Sequence, residues 1–303
     1  MSKRTFYILG IALTIFIGSY LYPKYCCNAN VEKSAETTNP VLIDDAPMSN
    51  IMFNLSGENF NYSCKENFRF LSNGFNNLQP VNDSINLGIS QLLPYFKKDN
   101  KQKLVITGYA LNSEKNTSAF PNLGLARAND LKNYFVSKGF DTGQFETLGE
   151  LRDDWKVSSD TIYGPANFKI KQSEEIITEK TEDWNALKEK INANPLVLYF
   201  NTNQTEINLS PEERQKIADL SNYLDHIPSA KISCIGHTDN VGKRETNINL
   251  GKNRADFIKN YLAKNGISND RIESNSKGPD EPISENNSDE GKAKNRRTVV
   301  NLK

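Results

Sequence analysis

Two stretches of this chain match each other at one constant offset. Asn122-Leu123-Gly124 with Arg127-Ala128 answers Asn249-Leu250-Gly251 with Arg254-Ala255, and the same offset carries Lys132-Asn133-Tyr134 and Gly139-Phe140 onto Lys259-Asn260-Tyr261 and Gly266-Ile267. Upstream, the alternating Leu104 to Gly108 answers Ile232 to Gly236, and Phe68-Arg69-Phe70 answers Leu198-Tyr199-Phe200. An internal repeat constrains the fold strongly, because each half must bury its core with the same elements. At 303 residues the chain is long enough for two domains of ordinary size plus linkers.

The second half is the more readable. Leu196 to Phe200 is a short apolar run suited to a buried strand. Ser210-Pro211-Glu212-Glu213 opens a helix, with Ser as cap, Pro in the first turn and Glu reaching back, and the helix runs to about His226. An alternating strand, Lys231 to Ile235, leads through a polar loop containing Gly242 into a helix with apolar positions Leu250, Ala255, Ile258, Tyr261 and Leu262. Arg271 to Lys277 and Arg297 to Leu302 read as strands, with Lys292 and Lys294 on a short helix before the last. Helix-separated strands of this kind predict an α/β sandwich, one mixed sheet under a helical layer. Asp239 at the strand end and Arg254 on the helix can then face one small space from opposite sides. Opposed carboxylate and guanidinium groups suit a zwitterion.

Gly236-His237-Thr238-Asp239, Asn249-Leu250-Gly251, Arg254-Ala255, Tyr261-Leu262, Gly266-Ile267 and Asn295-Arg296-Arg297, in that order, resemble the OmpA-like peptidoglycan-binding domain. The resemblance covers about the last third of the chain. It implies that Asp239 and Arg254 hold the amino-acid end of a diaminopimelate residue in the peptidoglycan stem peptide. It places Thr238, Asn249, Asn295 and Arg297 at the same ligand site, the last two ordering the loops around it. With the repeat, the expected fold is two tandem OmpA-like α/β sandwiches: a degenerate domain over 51–171, a helical connector over 172–193 and a wall-binding domain over 194–303.

The two halves differ where a ligand would sit. Tyr109-Ala110-Leu111-Asn112 replaces His237-Thr238-Asp239-Asn240, the loop is one residue longer, and Trp155 to Lys171 contains no Asn-Arg-Arg. Leu111 offers nothing to an ammonium group, so Arg127 is expected to make structural hydrogen bonds. Glu114 is the one nearby acid that could replace the carboxylate.

The N-terminus carries the longest apolar run. Ser2-Lys3-Arg4 precedes Thr5 to Tyr22, which has no charged side chain and at about 1.5 Å per residue covers roughly 26 Å of a bilayer core of about 30 Å. Its basic flank favours a cytoplasmic N-terminus and export of the rest. The run ends in Tyr20-Leu21-Tyr22-Pro23-Lys24-Tyr25 rather than a small-residue cleavage site, which favours an uncleaved anchor over 1–25, followed by a polar tether over 26–50. The expected location is the periplasm, on a single-pass anchor, with the outer membrane as the alternative resting place.

Lys plus Arg equals Asp plus Glu, 37 each, so no overall field draws the chain to nucleic acid. Cys26, Cys27, Cys64 and Cys234 fall in no paired metal spacing, and with two histidines no metal or other cofactor is expected. Cys234 reads as core and His237 as a loop-orienting hydrogen-bonding residue, with no nucleophile elbow beside them. Lys292, Lys294, Arg296 and Arg297, preceded by acidic residues, read as a solvated, internally paired face. An ion-driven stator shares this plan but needs a carboxylate inside the membrane, and Phe6 to Tyr22 has none. An envelope enzyme needs a catalytic constellation that the motifs do not supply. The expected function is therefore a non-enzymatic tether to the wall, with a protein partner possible on the first domain.

Overall fold

A computed structural model describes residues 52–153, 157–158, 160–172, 183–200 and 207–303. The expected anchor and tether, 1–25 and 26–50, lie outside the described residues. Among those described, no helix is long and apolar enough to cross a membrane.

Going along the chain, an antiparallel hairpin of β1 (Phe53–Gly57) and β2 (Phe60–Cys64) is followed by β3 (Arg69–Leu71), α1 (Asp83–Lys98), β4 (Gln102–Ala110), α2 (Leu123–Ser137) and β5 (Phe145–Leu151). Then come β6 (Val157–Ser158), β7 (Thr161–Tyr163), β8 (Ala166–Gln172) and α3 (Trp184–Ala193). The remainder is β9 (Leu196–Tyr199), α4 (Pro211–His226), β10 (Ile232–His237), α5 (Arg244–Lys264), β11 (Ile272–Gly278), α6 (Asp289–Asn295) and β12 (Arg297–Leu302). Side chains start the helices locally: Asn82, Asn122, Asp183 and Ser288 each cap one, and Ser210 with Glu213 forms the reciprocal box expected at α4.

The strands make mixed sheets in the order β2-β1-β8-β4-β5 and β11-β10-β12-β9, with β3-β7-β6 as a small third sheet. In the first, β4 lies between antiparallel β8 and parallel β5. In the second, β10 lies between antiparallel β12 and parallel β11. α2 packs on β4 and β5, and α5 on β10 and β11. Each sheet has its own apolar core, one rich in Phe rings around Phe53, Phe135 and Phe168, the other built on Leu196, Leu220, Ile232, Ile258 and Val300.

Two expectations change. The segment Phe68 to Phe70, matched in sequence to Leu198 to Phe200, pairs through β3 with β7, while the edge of β8 goes to β1, in parallel. The chain turns at Gly164-Pro165, dividing what is one strand at β12 into β7 and β8. Leu250, read as core, is exposed. The buried stripe of α5 is Asn247, Gly251, Ala255, Ile258 and Leu262.

Both sheets belong to one compact unit, Pro47–Lys303, and polar groups join them. The Ala119 amide donates to Asn265 Oδ1 at 2.7 Å, Asn133 Nδ2 donates to the Gly266 carbonyl at 2.9 Å, and Lys132 pairs with Asp225 at 2.5 Å. Arg214 donates to the Ser118 carbonyl, and Ala119 is wholly buried in the second core. Cys234 is also fully buried, its thiol pushed up to about 12 by that burial, as suits a small core residue.

Candidate functional site

β10 ends against α5, and the turn between them sets the site. The carbonyl of His237, the last strand residue, accepts from Arg254 Nη1 at 3.2 Å, and the Arg254 guanidinium lies 5.4 Å from the centre of the Phe200 ring. Burial lowers the pKa of Arg254, as does the nearby Arg296, against the pull of Asp239. Thr238 is buried, its amide bonded to the Gly278 carbonyl at 2.9 Å and its hydroxyl to the Asp239 carbonyl at 2.8 Å. These bonds fix the backbone of Asp239. Its Oδ1 accepts from the Val241 amide at 3.2 Å and its Oδ2 from Arg296 Nη1 at 3.0 Å.

Asp239 and Arg254 thus fall in one charged cluster, but the direct ionic partner of Asp239 is Arg296. That corrects the reading of Arg296 as part of a solvated face. The chain extends after α6, so successive side chains diverge. Arg296 turns to Asp239, while buried Arg297 donates to the Glu281 carbonyl at 3.1 Å. Asn295 is completely buried and holds the adjacent loop, accepting from the Ile283 and Ser284 amides at 2.9 and 3.1 Å and donating to the Ser284 carbonyl at 2.8 Å. Asn249 is exposed on α5, outside the hydrogen-bonded cluster of the described residues. The buried asparagine there is Asn247, which donates to the Val241 carbonyl at 3.0 Å. Its helical spacing with Gly251 and Ala255 was the signal that could have found it. Asn240, next to Asp239 in the chain, lines an open groove of about 880 Å³ together with residues 282–287.

His237 is 4 % exposed, and its Nδ1 has no hydrogen-bond partner among the described residues, so it does not orient the loop through that atom as expected. Burial first, then the charges of Arg297 and Lys277, lower its pKa from 6.5 to about 4, with Glu281 opposing. The unfolded chain therefore binds the extra proton between these values. The His237 contribution to stability should be complete above about pH 6.5 and be lost as pH falls toward 4. Denaturant melts across that range should show the slope in the wild type, and His237→Gln should flatten it.

The corresponding turn of the first sheet is closed. Arg127 Nη1 donates to the Tyr109 carbonyl at 2.9 Å, as Arg254 does to His237, and its guanidinium lies 5.5 Å from the Phe70 ring centre. Here, however, Glu114 takes Arg127 in a two-pronged salt bridge at 3.0 and 2.5 Å. The side chains are 0 % and 2 % exposed.

The model of the OmpA family matches residues 199–296, a span that contains the whole cluster from Asp239 to Arg296. Over 142 residues the chain is 34 % identical to the peptidoglycan-associated lipoprotein of Buchnera aphidicola, covering 46 % of this chain and 79 % of that relative. The chain belongs to the OmpA family. The peptidoglycan-binding protein ArfA of Mycobacterium tuberculosis is 34 % identical over 92 residues, 30 % of this chain and 28 % of ArfA, so the OmpA-family match takes in under a third of that relative's length. Among solved structures, the peptidoglycan-associated lipoprotein of Burkholderia pseudomallei aligns at 24 % identity and a TM-score of 0.32, over 35 % of this chain and 89 % of that one.

Proposed function

We propose that the chain is a non-enzymatic envelope protein that binds peptidoglycan, holding the diaminopimelate end of a stem peptide between Asp239 and Arg254. The observation that carries this reading is the half-buried cluster in which Asp239 pairs with Arg296 and shares its field with Arg254, one residue from Asn240 on the wall of an open groove. A ligand ammonium would share Asp239 with Arg296, and a ligand carboxylate would sit on Arg254. Thr238, Asn295 and Arg297 hold the backbone around them. Charge-assisted bonds contribute about 1.5 to 3 kcal/mol each, so a pair with backbone contacts gives a grip of roughly micromolar strength. The names of the two relatives above point the same way.

In this reading residues 1–25 anchor the chain, 26–50 tether it, 51–171 form a degenerate OmpA-like domain, 172–193 connect, and 194–303 grip the wall on the periplasmic side. The closed Arg127 site supports a first domain that does not bind the wall, since Arg127 already holds an acid. The test is sedimentation of the full chain with purified peptidoglycan. Asp239→Ala and Arg254→Ala should each abolish co-sedimentation with an unchanged circular-dichroism spectrum. Undiminished sedimentation of both folded variants would sink the assignment.

A further inference from the structure

We propose that the Arg127 cradle is a carboxylate-binding site whose permanent occupant is the chain's own Glu114, and that this occupancy clasps shut the loop on which the second domain is seated. The two groups saturate each other. Arg127 donates through Nε to the Gly74 carbonyl at 3.0 Å, through Nη1 to Tyr109, through Nη2 to the Leu71 carbonyl at 3.4 Å, and twice to Glu114. Five donors meet five acceptors, the full capacity of a guanidinium. On the other side, Glu114 Oε1 also accepts from the Asn73 amide and Oε2 from the Leu111 amide, each at 2.9 Å. A carboxylate so surrounded has little left to offer another partner. Burial pushes its pKa up, but the Arg127 bonds and charge and the two amides together carry it below the ordinary glutamate value.

The clasp acts on a loop with two ends. Next to Glu114, the Lys115 amide donates to Asn73 Oδ1 at 2.6 Å and Thr117 Oγ1 donates to the Asn73 carbonyl at 2.8 Å. Asn116 Oδ1 accepts from the Ser118 amide at 3.0 Å, and its Nδ2 donates to the Phe120 carbonyl at 2.8 Å. Immediately after comes the domain junction: the Ser118 carbonyl on Arg214, the Ala119 amide on Asn265, and the Ala119 side chain in the second core. Parting a buried ion pair leaves each charge uncompensated, so the pair resists separation whatever its net contribution to stability. Here what it holds is the position of residues 118–120. The clasp would operate whatever ligand Asp239 and Arg254 hold.

The test uses the full chain with Glu114→Ala, which empties the cradle by about the volume of an acetate ion, and Glu114→Gln, which fills it without charge. Trypsin cleavage after exposed Lys115 reads opening of the loop, and hydrogen exchange of the Ala119 amide reads release of the junction. In Glu114→Ala both should accelerate about tenfold or more, and sodium acetate should restore both where acetamide at equal concentration does not. Glu114→Gln should open to a lesser degree and ignore acetate, and it decides the matter by the same two readouts where Glu114→Ala does not fold. Wild-type cleavage and exchange in the folded variants would overturn the proposal. So would protection by acetamide equal to that by acetate, or faster cleavage at Lys115 with unchanged exchange at Ala119.

Discussion

Gly236→Ala should leave the β11-β10-β12-β9 sheet and its helices unable to fold. An added Cβ would lie 1.8 Å from the Gly251 carbonyl oxygen, 2.5 Å from its carbon and 3.0 Å from its Cα, all of them backbone atoms of α5. No rotamer change can relieve such a contact, so strand and helix would have to part. Ordinary overpacking costs about 1–3 kcal/mol where side chains can shift, and a backbone collision lies beyond that range. A domain has roughly 5–15 kcal/mol to lose. The measurement is a two-probe denaturant melt of the full chain, in which the near-ultraviolet signal of Trp184, stacked on His226 at the end of α4, should lose its cooperative step. A variant melting within about 1 kcal/mol of the wild type would show that the close approach of β10 and α5 does not matter.

The second large effect is expected at Arg127. Arg127→Met keeps much of the side-chain volume over Phe70 but strands the Glu114 carboxylate in the interior, along with the Tyr109, Gly74 and Leu71 carbonyls. Removing one partner of a buried pair costs about 3–5 kcal/mol, because the survivor keeps its desolvation penalty. The double variant Arg127→Met with Glu114→Leu removes both charges and should recover much of that loss. At the matching position Arg254→Met should behave differently. That guanidinium is only half-buried, so its removal should cost far less stability while eliminating the wall binding proposed for it. Equal destabilisation at the two positions in chemical denaturation would refute this division of labour.

Where local chemistry decides the structure, the residues could be read directly. Ser210 and Glu213 close a box within one turn, and Cys234 follows from strand alternation. The β1–β2 hairpin and the β3–β7–β6 sheet were not legible. Their strands are short, and strand preference of that kind is settled by neighbours that arrive from far along the chain. The charged site divides the same way. Strand, loop and helix order brought Asp239 and Arg254 to one place, whereas the partner of Asp239 comes from a residue whose direction depends on where α6 ends. Glu114 could be named as a candidate from its nearness to Leu111, but the path of a longer loop is set by Asn73, a residue distant in sequence.

The helix α5 is 21 residues long, and from Arg254 to its last turn it runs about 15 Å at 1.5 Å per residue, leading from the charged cluster to the junction. Arg254 lies on its middle turns, and Asn265 and Gly266, just past its last turn, meet Ala119 and Asn133 on the side of the other sheet. If the proposed ligand is held at Arg254, a pull on it would reach these hydrogen bonds through the rest of α5, with the Lys132–Asp225 pair as a further link at the same junction. Bonds loaded in parallel share tension, where a row peeled from one end would break singly. Several links at one junction would make the two sheets move together under tension, the whole acting as a tie.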